Sequence, residues 1–206
     1  MIVADAPIIS FSKPSKLAKK FVQQVLRSKK FSQIEQLALL LSVKEIQAFA
    51  ACMQSLGVKN SKELRKEHVK YYLYIAASVP EVLVLFLRDF LGRRDLAAAV
   101  LAEQEQVMQA RLLLLNYLAW LKKKRLEEHQ LAAAYSAAKK FLAYMLGFKG
   151  VTLRQLSAKH IKQFAEEALG KLSASKRREI LASLLHFFKF LERQDLQAAL
   201  RRLLIQ

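Results

Sequence analysis

The sequence predicts an all-α fold made of two tandem helical bundles. Hydrophobic residues make up 53% of the 206 residues, and only 5 Gly and 3 Pro interrupt them, which favours helices over a sheet with its many turns. The chain also repeats itself. Three segments return further along the chain, residues 56–59 at 146–149, residues 68–70 at 160–162 and residues 90–100 at 190–200.

The period of this repeat is longer than that of a solenoid and suits a small domain used twice. The expected organisation is an irregular tail over residues 1–14, a first helical module over residues 15–109 and a second over residues 110–206. Chance resemblance between two helical stretches rich in Leu and Lys is the alternative explanation.

Apolar residues at helical spacing, with start and stop signals, predict each helix in turn. In the first module, helices are expected over residues 15–27, 66–77 and 80–91. A long helix over residues 95–125 has no strong breaker and should join the modules. In the second module, helices are expected over residues 127–146, 157–169, 175–192 and 195–204, with a short turn after Thr152.

Capping motifs predict two further helices in the first module. Ser32 and Ser42 are each followed three residues later by Glu, the spacing at which a cap hydroxyl and a carboxylate satisfy each other's backbone amides. Two short helices are therefore expected here, the second ending before Gly57. Gly57 and its counterpart Gly147 suit the left-handed residue that follows many helices.

The charge of the chain is strongly unbalanced. It has 35 Lys and Arg against 17 Asp and Glu, a net charge of +18 and a pI of about 10.1. Residues 1–100 contain 16 basic and 8 acidic side chains, and the rest of the chain contains 19 and 9, so both copies are basic. An excess of this size indicates a polyanionic partner. A generic Lys-rich solvated surface is the alternative.

Composition also predicts the cellular location of the protein. Cys52 is the only cysteine, so no internal disulfide can form, and a reducing, cytoplasmic location associated with the nucleoid is expected. The longest apolar runs, residues 79–87 and 112–121, fall well short of the roughly 20 residues of a membrane span. We therefore expect no membrane association.

No pattern in the chain indicates an enzyme. There is no Gly-rich phosphate loop, no Gly-x-Ser-x-Gly and no His-Glu-x-x-His. His68 and His160 occupy equivalent places in the repeat, but no set of ligands with metal spacing surrounds either. Both are expected to play a structural role at a helix start, and no catalytic residue, metal or cofactor is expected.

One stretch of the second copy carries motifs of a known family. Residues 172–175 read Leu-Ser-Ala-Ser, residues 187–191 read Phe-Phe-Lys-Phe-Leu, and residues 151–161 look like that family's turn between its first two helices. Residues 128–196 thereby resemble the SAM-like core-binding domain of tyrosine recombinases and phage integrases, and residues 56–73 look similar. The resemblance implies two SAM-like bundles of the kind that close around DNA.

The catalytic half of that family is not matched. Its chemistry needs a His-x-x-Arg pair, and none of the four histidines here is followed three residues later by Arg. The resemblance therefore implies DNA binding without recombinase activity.

The expected function is a non-catalytic DNA-binding protein that contacts the duplex backbone, bridges or shapes DNA, or modulates recombination or repair. The expected nucleic-acid contacts are Lys122, Lys123, Lys124, Arg125, Lys171, Lys176, Arg177, Arg178 and Lys189 in the second copy, and Lys59, Lys62, Arg65, Lys66 and Lys70 in the first.

Two alternatives stay open. One is a helical adaptor or inhibitor derived from a recombinase, which pairs with a protein partner through apolar helices. The other is an RNA-binding helical protein. A homodimer or a recombinase-like partner is compatible with either.

Overall fold

A computed structural model describes residues 9–28, 33–76 and 80–205. This part of the chain is all-α, which confirms the predicted fold class; its only β pairing is an isolated bridge between Ser10 and Asn60. The chain divides into two compact units, residues 1–105 (unit 1) and residues 106–206 (unit 2).

The described helices of unit 1 follow chain order. They are α1 (Pro14–Ser28), α2 (Gln33–Ser55), α3 (Lys66–Ile75) and α4 (Pro80–Leu85), the last continuing as a π-helical turn over Phe86–Phe90. The next helix, α5 (Arg94–Lys123), begins in unit 1 and ends in unit 2.

The described part of unit 2 after α5 consists of α-helices, two π-helical turns and one 3-10 turn. They are α6 (Glu128–Leu142) with a π-helical turn over Ala143–Phe148, a 3-10 turn over Leu153–Gln155, α7 (Ala158–Gln163) with a π-helical turn over Phe164–Ala168, α8 (Ala174–Phe190) and α9 (Gln194–Ile205).

Aromatic rings form the centre of unit 1. The ring centroid of Phe49 lies 5.1 Å from Tyr72, 5.8 Å from Phe86 and 6.1 Å from Phe11, all edge to face. Phe21 brings α1 onto this cluster, with its centroid 5.4 Å from Phe86. All five rings are fully buried, and edge-to-face pairs add to the stabilisation that burial gives.

The segment before α1 belongs to this core. Phe11 is fully buried, and its N–H donates to the carbonyl of Lys59 at 3.0 Å. The Ser61 N–H donates to the carbonyl of Ile9 at 2.8 Å. Residues 9–13 of the expected tail are irregular but packed, while residues 1–8 lie outside the described chain. A single aromatic residue in an irregular segment has no periodicity, so sequence reasoning had no signal for it.

The helix start predicted at Ser42 is wrong. Ser42 is buried inside α2, which runs without interruption from Gln33 to Ser55. A cap needs a break in the preceding helix, and this stretch contains neither Gly nor Pro. The signal at Ser32 falls outside the described residues.

The two glycines expected to follow helices differ. Gly57 has φ +82°, which confirms its left-handed role after α2. Gly147 lies inside the π-helical turn after α6, so the expectation for it is wrong. The wider turn carries the helix two residues past the expected end.

The core of unit 2 has two aromatic groups. Phe141 of α6 lies 5.2 Å from Phe164 and 5.3 Å from Phe188, both edge to face. Tyr117 of α5 lies 5.1 Å from Phe187. The second half of α5 and the body of α8 therefore pack within one core.

An arginine ties the start of α5 to the loop before α3. The Nε and Nη2 groups of Arg93 donate to the carboxylate of Asp95 at 3.0 and 2.9 Å. Its Nη1 donates to the carbonyls of Ser61 and Leu64 at 3.0 and 3.1 Å. We call this arrangement the arginine clamp. The residue before it, Gly92, has φ +68°.

Unit 2 contains the same clamp at the start of α9. Arg193 donates to Asp195 at 2.8 and 2.6 Å, and to the carbonyls of Leu156 and Leu153 at 2.8 and 3.4 Å. The residue before it, Glu192, has φ +56°. The clamped carbonyls are equivalent positions of the sequence repeat.

The two histidines also match. The Nδ1 of His68 accepts the Arg65 N–H at 3.2 Å, and the Nδ1 of His160 accepts the Ser157 N–H at 3.1 Å. Each histidine caps the start of its own helix, which confirms the predicted structural role. The internal repeat itself stays a prediction, which the matched clamps and caps support.

Replacing either clamp arginine by lysine tests the role of the clamp. Lysine keeps the charge but cannot reach a carboxylate and two carbonyls with one planar group. Arg93→Lys and Arg193→Lys should each lower the free energy of unfolding by about 1 to 2 kcal/mol, measured by urea denaturation. The control is Arg94→Lys at an exposed neighbouring position. An equal loss in the control would contradict this role.

Candidate nucleic-acid interface

The two units carry unequal charge. Unit 1 has 16 Lys and Arg against 10 Asp and Glu, and unit 2 has 19 against 7. Binding to phosphates needs cations that no carboxylate of the protein neutralises. The position and partners of each predicted cation therefore decide whether it can bind a phosphate.

The end of α5 presents four consecutive exposed cations, which we call the terminal cluster, Lys122, Lys123, Lys124 and Arg125. None of them forms an ion pair with another described residue. The Nζ of Lys124 lies 4.9 Å from the ring centroid of Trp120. Cations are favourable at this end of a helix, because its free carbonyls carry partial negative charge.

Lys189 lies at the same end of unit 2. It is exposed in the last turn of α8, next to Phe190. The ring of Phe190 lies 5.3 Å from Tyr117 and 5.9 Å from Trp120, so the ends of α5 and α8 are in contact. We call the terminal cluster together with Lys189 the α5–α8 patch.

The other cations predicted in unit 2 lie at the opposite end of α8. Lys176 precedes Lys189 by about 20 Å along the helix axis. α8 begins at Ala174 with Ser173 as its cap, where the Ser173 Oγ accepts the Lys176 N–H at 3.3 Å. The predicted contacts of this unit therefore divide between two surfaces.

Two of the cations at the start of α8 already have partners within the protein. The Nζ of Lys176 pairs with Glu179 at 2.8 Å, and the Nη2 of Arg178 donates to the carbonyl of Leu204 at 2.7 Å. Arg178 thereby satisfies a free carbonyl at the end of α9. Arg177 is half-buried, whereas Lys171 is exposed. Sequence reasoning could not foresee that the end of α9 reaches the start of α8.

In unit 1, four of the five predicted cations are exposed around the start of α3: Lys59, Lys62, Arg65 and Lys66. The fifth, Lys70, pairs with the buried carboxylate of Glu103, which also accepts the Tyr74 hydroxyl at 2.7 Å. The structure gives Lys70 a structural role, against the expectation that it contacts phosphates.

Sequence reasoning named no cation of α1 as a nucleic-acid contact. Its exposed side bears Lys16, Lys19, Lys20 and Arg27, and the helix contains no Asp or Glu. Arg201 and Arg202, exposed in the last turns of α9, were also missed. A rule that counted cations on helices free of acids would have found α1.

The environment of the single cysteine disfavours its reactive form. Burial raises the pKa of the Cys52 thiol to about 11, and a hydrogen bond with Ser55 only partly opposes this. The thiolate that nucleophilic chemistry needs is therefore scarce at neutral pH. Among the described residues, no three His, Cys, Asp or Glu side chains group as metal ligands would.

Comparisons of the chain with protein-family models, curated proteins and solved structures found no match. The likeness of residues 128–196 to a recombinase core-binding domain stays a prediction from its motifs. None of the helices in the described ranges combines the length and hydropathy needed to cross a membrane.

The role of Lys70 can be tested by Lys70→Gln. Because Glu103 is buried, loss of its cation should lower the free energy of unfolding by about 2 kcal/mol. The control Lys66→Gln removes an exposed charge from the same helix and should change stability by less than about 0.5 kcal/mol. Chemical denaturation of both variants measures this. Equal stability of both would show that Lys70 is free to bind a partner.

Proposed function

We propose that this chain is a non-catalytic DNA-binding protein that contacts the duplex backbone through exposed Lys and Arg side chains. The α5–α8 patch carries the proposal, because it groups five exposed cations without a carboxylate partner among the described residues. Such a patch can hold phosphates, and phosphate contacts position a protein without reading sequence.

Unit 1 has exposed cations of its own, Lys59, Lys62, Arg65 and Lys66. Two linked binding surfaces raise each other's effective concentration, so modest affinity of each becomes useful avidity. A protein of this kind acts by occupying, bridging or shaping DNA. The resemblance to recombinase core-binding domains adds recombination or repair as the setting, and a cytoplasmic, nucleoid-associated location follows from the same proposal.

A helical adaptor is the second candidate, and one observation favours it. Met108, Leu112 and Leu115 of α5 are 70%, 60% and 59% exposed. Their spacing of four and three residues places them on one face of the helix. An exposed apolar stripe of this kind can bind a protein partner. Binding to a partner protein that persists at high salt would favour this candidate over DNA.

The α5–α8 patch can be tested by Lys122→Gln, Lys123→Gln and Lys124→Gln combined. Each lost phosphate contact should weaken duplex binding and flatten the dependence of log K on log salt by about 0.9. Fluorescence anisotropy on duplex DNA across a salt series measures both. The control combines Lys140→Gln, Arg154→Gln and Lys159→Gln, which removes the same charge from exposed positions of unit 2 outside the patch.

An unchanged slope in the patch variant, or equal losses in both variants, would remove the patch from the interface. Failure of the unaltered chain to bind duplex DNA at low salt would contradict the proposed function. Competition with RNA separates the remaining alternative, since RNA that displaces duplex DNA at much lower concentration indicates an RNA-binding protein.

A further inference from the structure

A groove of about 970 Å³ runs along α1 in unit 1, outside every cation of the predicted site. One wall is the segment of residues 9–13, the other is α1, and Phe90 of the π-helical turn adds to the lining. Its position and chemistry suggest a binding site distinct from the α5–α8 patch.

The groove is lined by four cations, Lys13, Lys16, Lys20 and Arg27, and by no carboxylate. None of the four forms an ion pair within the ranges that the structure describes. Their charges therefore add to one another across the groove, which concentrates anions there.

The groove is fixed by the core beneath it. Phe21 holds α1 in place, with its ring 5.4 Å from Phe86 and 5.7 Å from Phe90. On the opposite wall, the Ile9 N–H donates to the Ser61 Oγ at 3.0 Å, in addition to the backbone pairing of this segment. A preformed site saves the ordering cost that a flexible one incurs on binding.

The spacing of the cations indicates a polymer. Lys16 and Arg27 are separated by about 17 Å along the axis of α1, which is much longer than one phosphate group. The anion that fits must carry phosphates at intervals along the groove.

The shape of the site distinguishes a single strand from a duplex. Leu17 and Phe90 form the buried floor of the groove, whereas the amides of Gln23 and Gln24 are exposed and the side chain of Ile9 is partly exposed beside the cations. A single strand leaves its base edges free to bond with such amides while cations hold its backbone. A duplex stacks its bases inside and would gain little from such a lining.

We propose that the α1 groove binds a single strand of nucleic acid, with its phosphates on Lys13, Lys16, Lys20 and Arg27. This extends the proposed function, because it adds a second site with its own ligand. It does not require the α5–α8 patch to bind duplex DNA.

The test uses the full chain and single-stranded oligomers of about 12 nucleotides, oligothymidylate and oligouridylate, in fluorescence anisotropy. The groove variant combines Lys16→Gln, Lys20→Gln and Arg27→Gln. It should bind single strands at least tenfold more weakly, with a salt slope smaller by about 2. Duplex binding should stay within twofold of that of the unaltered chain. The two oligomers show whether DNA or RNA is preferred.

The matched control combines Lys19→Gln, Lys44→Gln and Arg94→Gln. These positions are exposed in unit 1, do not line the groove and remove the same charge. A further variant, Lys16→Arg, Lys20→Arg and Arg27→Lys combined, keeps the charge and should keep binding. Thermal unfolding of each variant checks that it is folded.

Equal weakening by the groove variant and the control would overturn the proposal, as would failure of the unaltered chain to bind either oligomer. Failure to bind duplex DNA with single-strand binding intact would contradict only the function proposed for the α5–α8 patch.

Discussion

Carboxylates are scarce in this chain, with 17 against 35 cations, and the fold depends on where they are used. The arginine clamps engage Asp95 and Asp195, each of which holds a guanidinium in place over the carbonyls of a distant loop. Glu167 accepts hydrogen bonds from Lys149 and from the Tyr144 hydroxyl, both at 2.6 Å, which hold the pKa of that carboxyl below its usual range. In both units, carboxylates join elements that are far apart in sequence.

The positive surfaces follow from this use of the carboxylates. Carboxylates engaged inside the units leave the cations of α1 and of the α5–α8 patch without partners among the described residues. In unit 2, burial, and then the nearby charge of Arg111, lower the pKa of Lys139. Surfaces of this kind favour a polyanion because binding relieves repulsion as well as adding contacts.

Helical content and most helix positions followed from periodicity and breakers, since these are local properties, but the break predicted at Ser42 within α2 is absent. The start of α3 and the caps on His68 and His160 were within reach for the same reason. The roles of Lys70 and Arg178 were not, because each depends on a partner from a distant part of the chain, Glu103 and Leu204. The buried Phe11 and the α1 groove depend on tertiary packing in the same way, which no spacing rule reports.

The corner in front of each clamp differs between the units in one respect, Gly92 in unit 1 and Glu192 in unit 2. Both residues are left-handed, a conformation that glycine adopts freely and that costs a residue with a β-carbon about 1 kcal/mol. The corner of unit 2 therefore already bears a strained residue that Arg193 helps to hold. A side chain at position 92 would add a similar strain to unit 1. At position 192, replacing Glu by Gly would relax the backbone but would also remove an acid and make the surface more cationic.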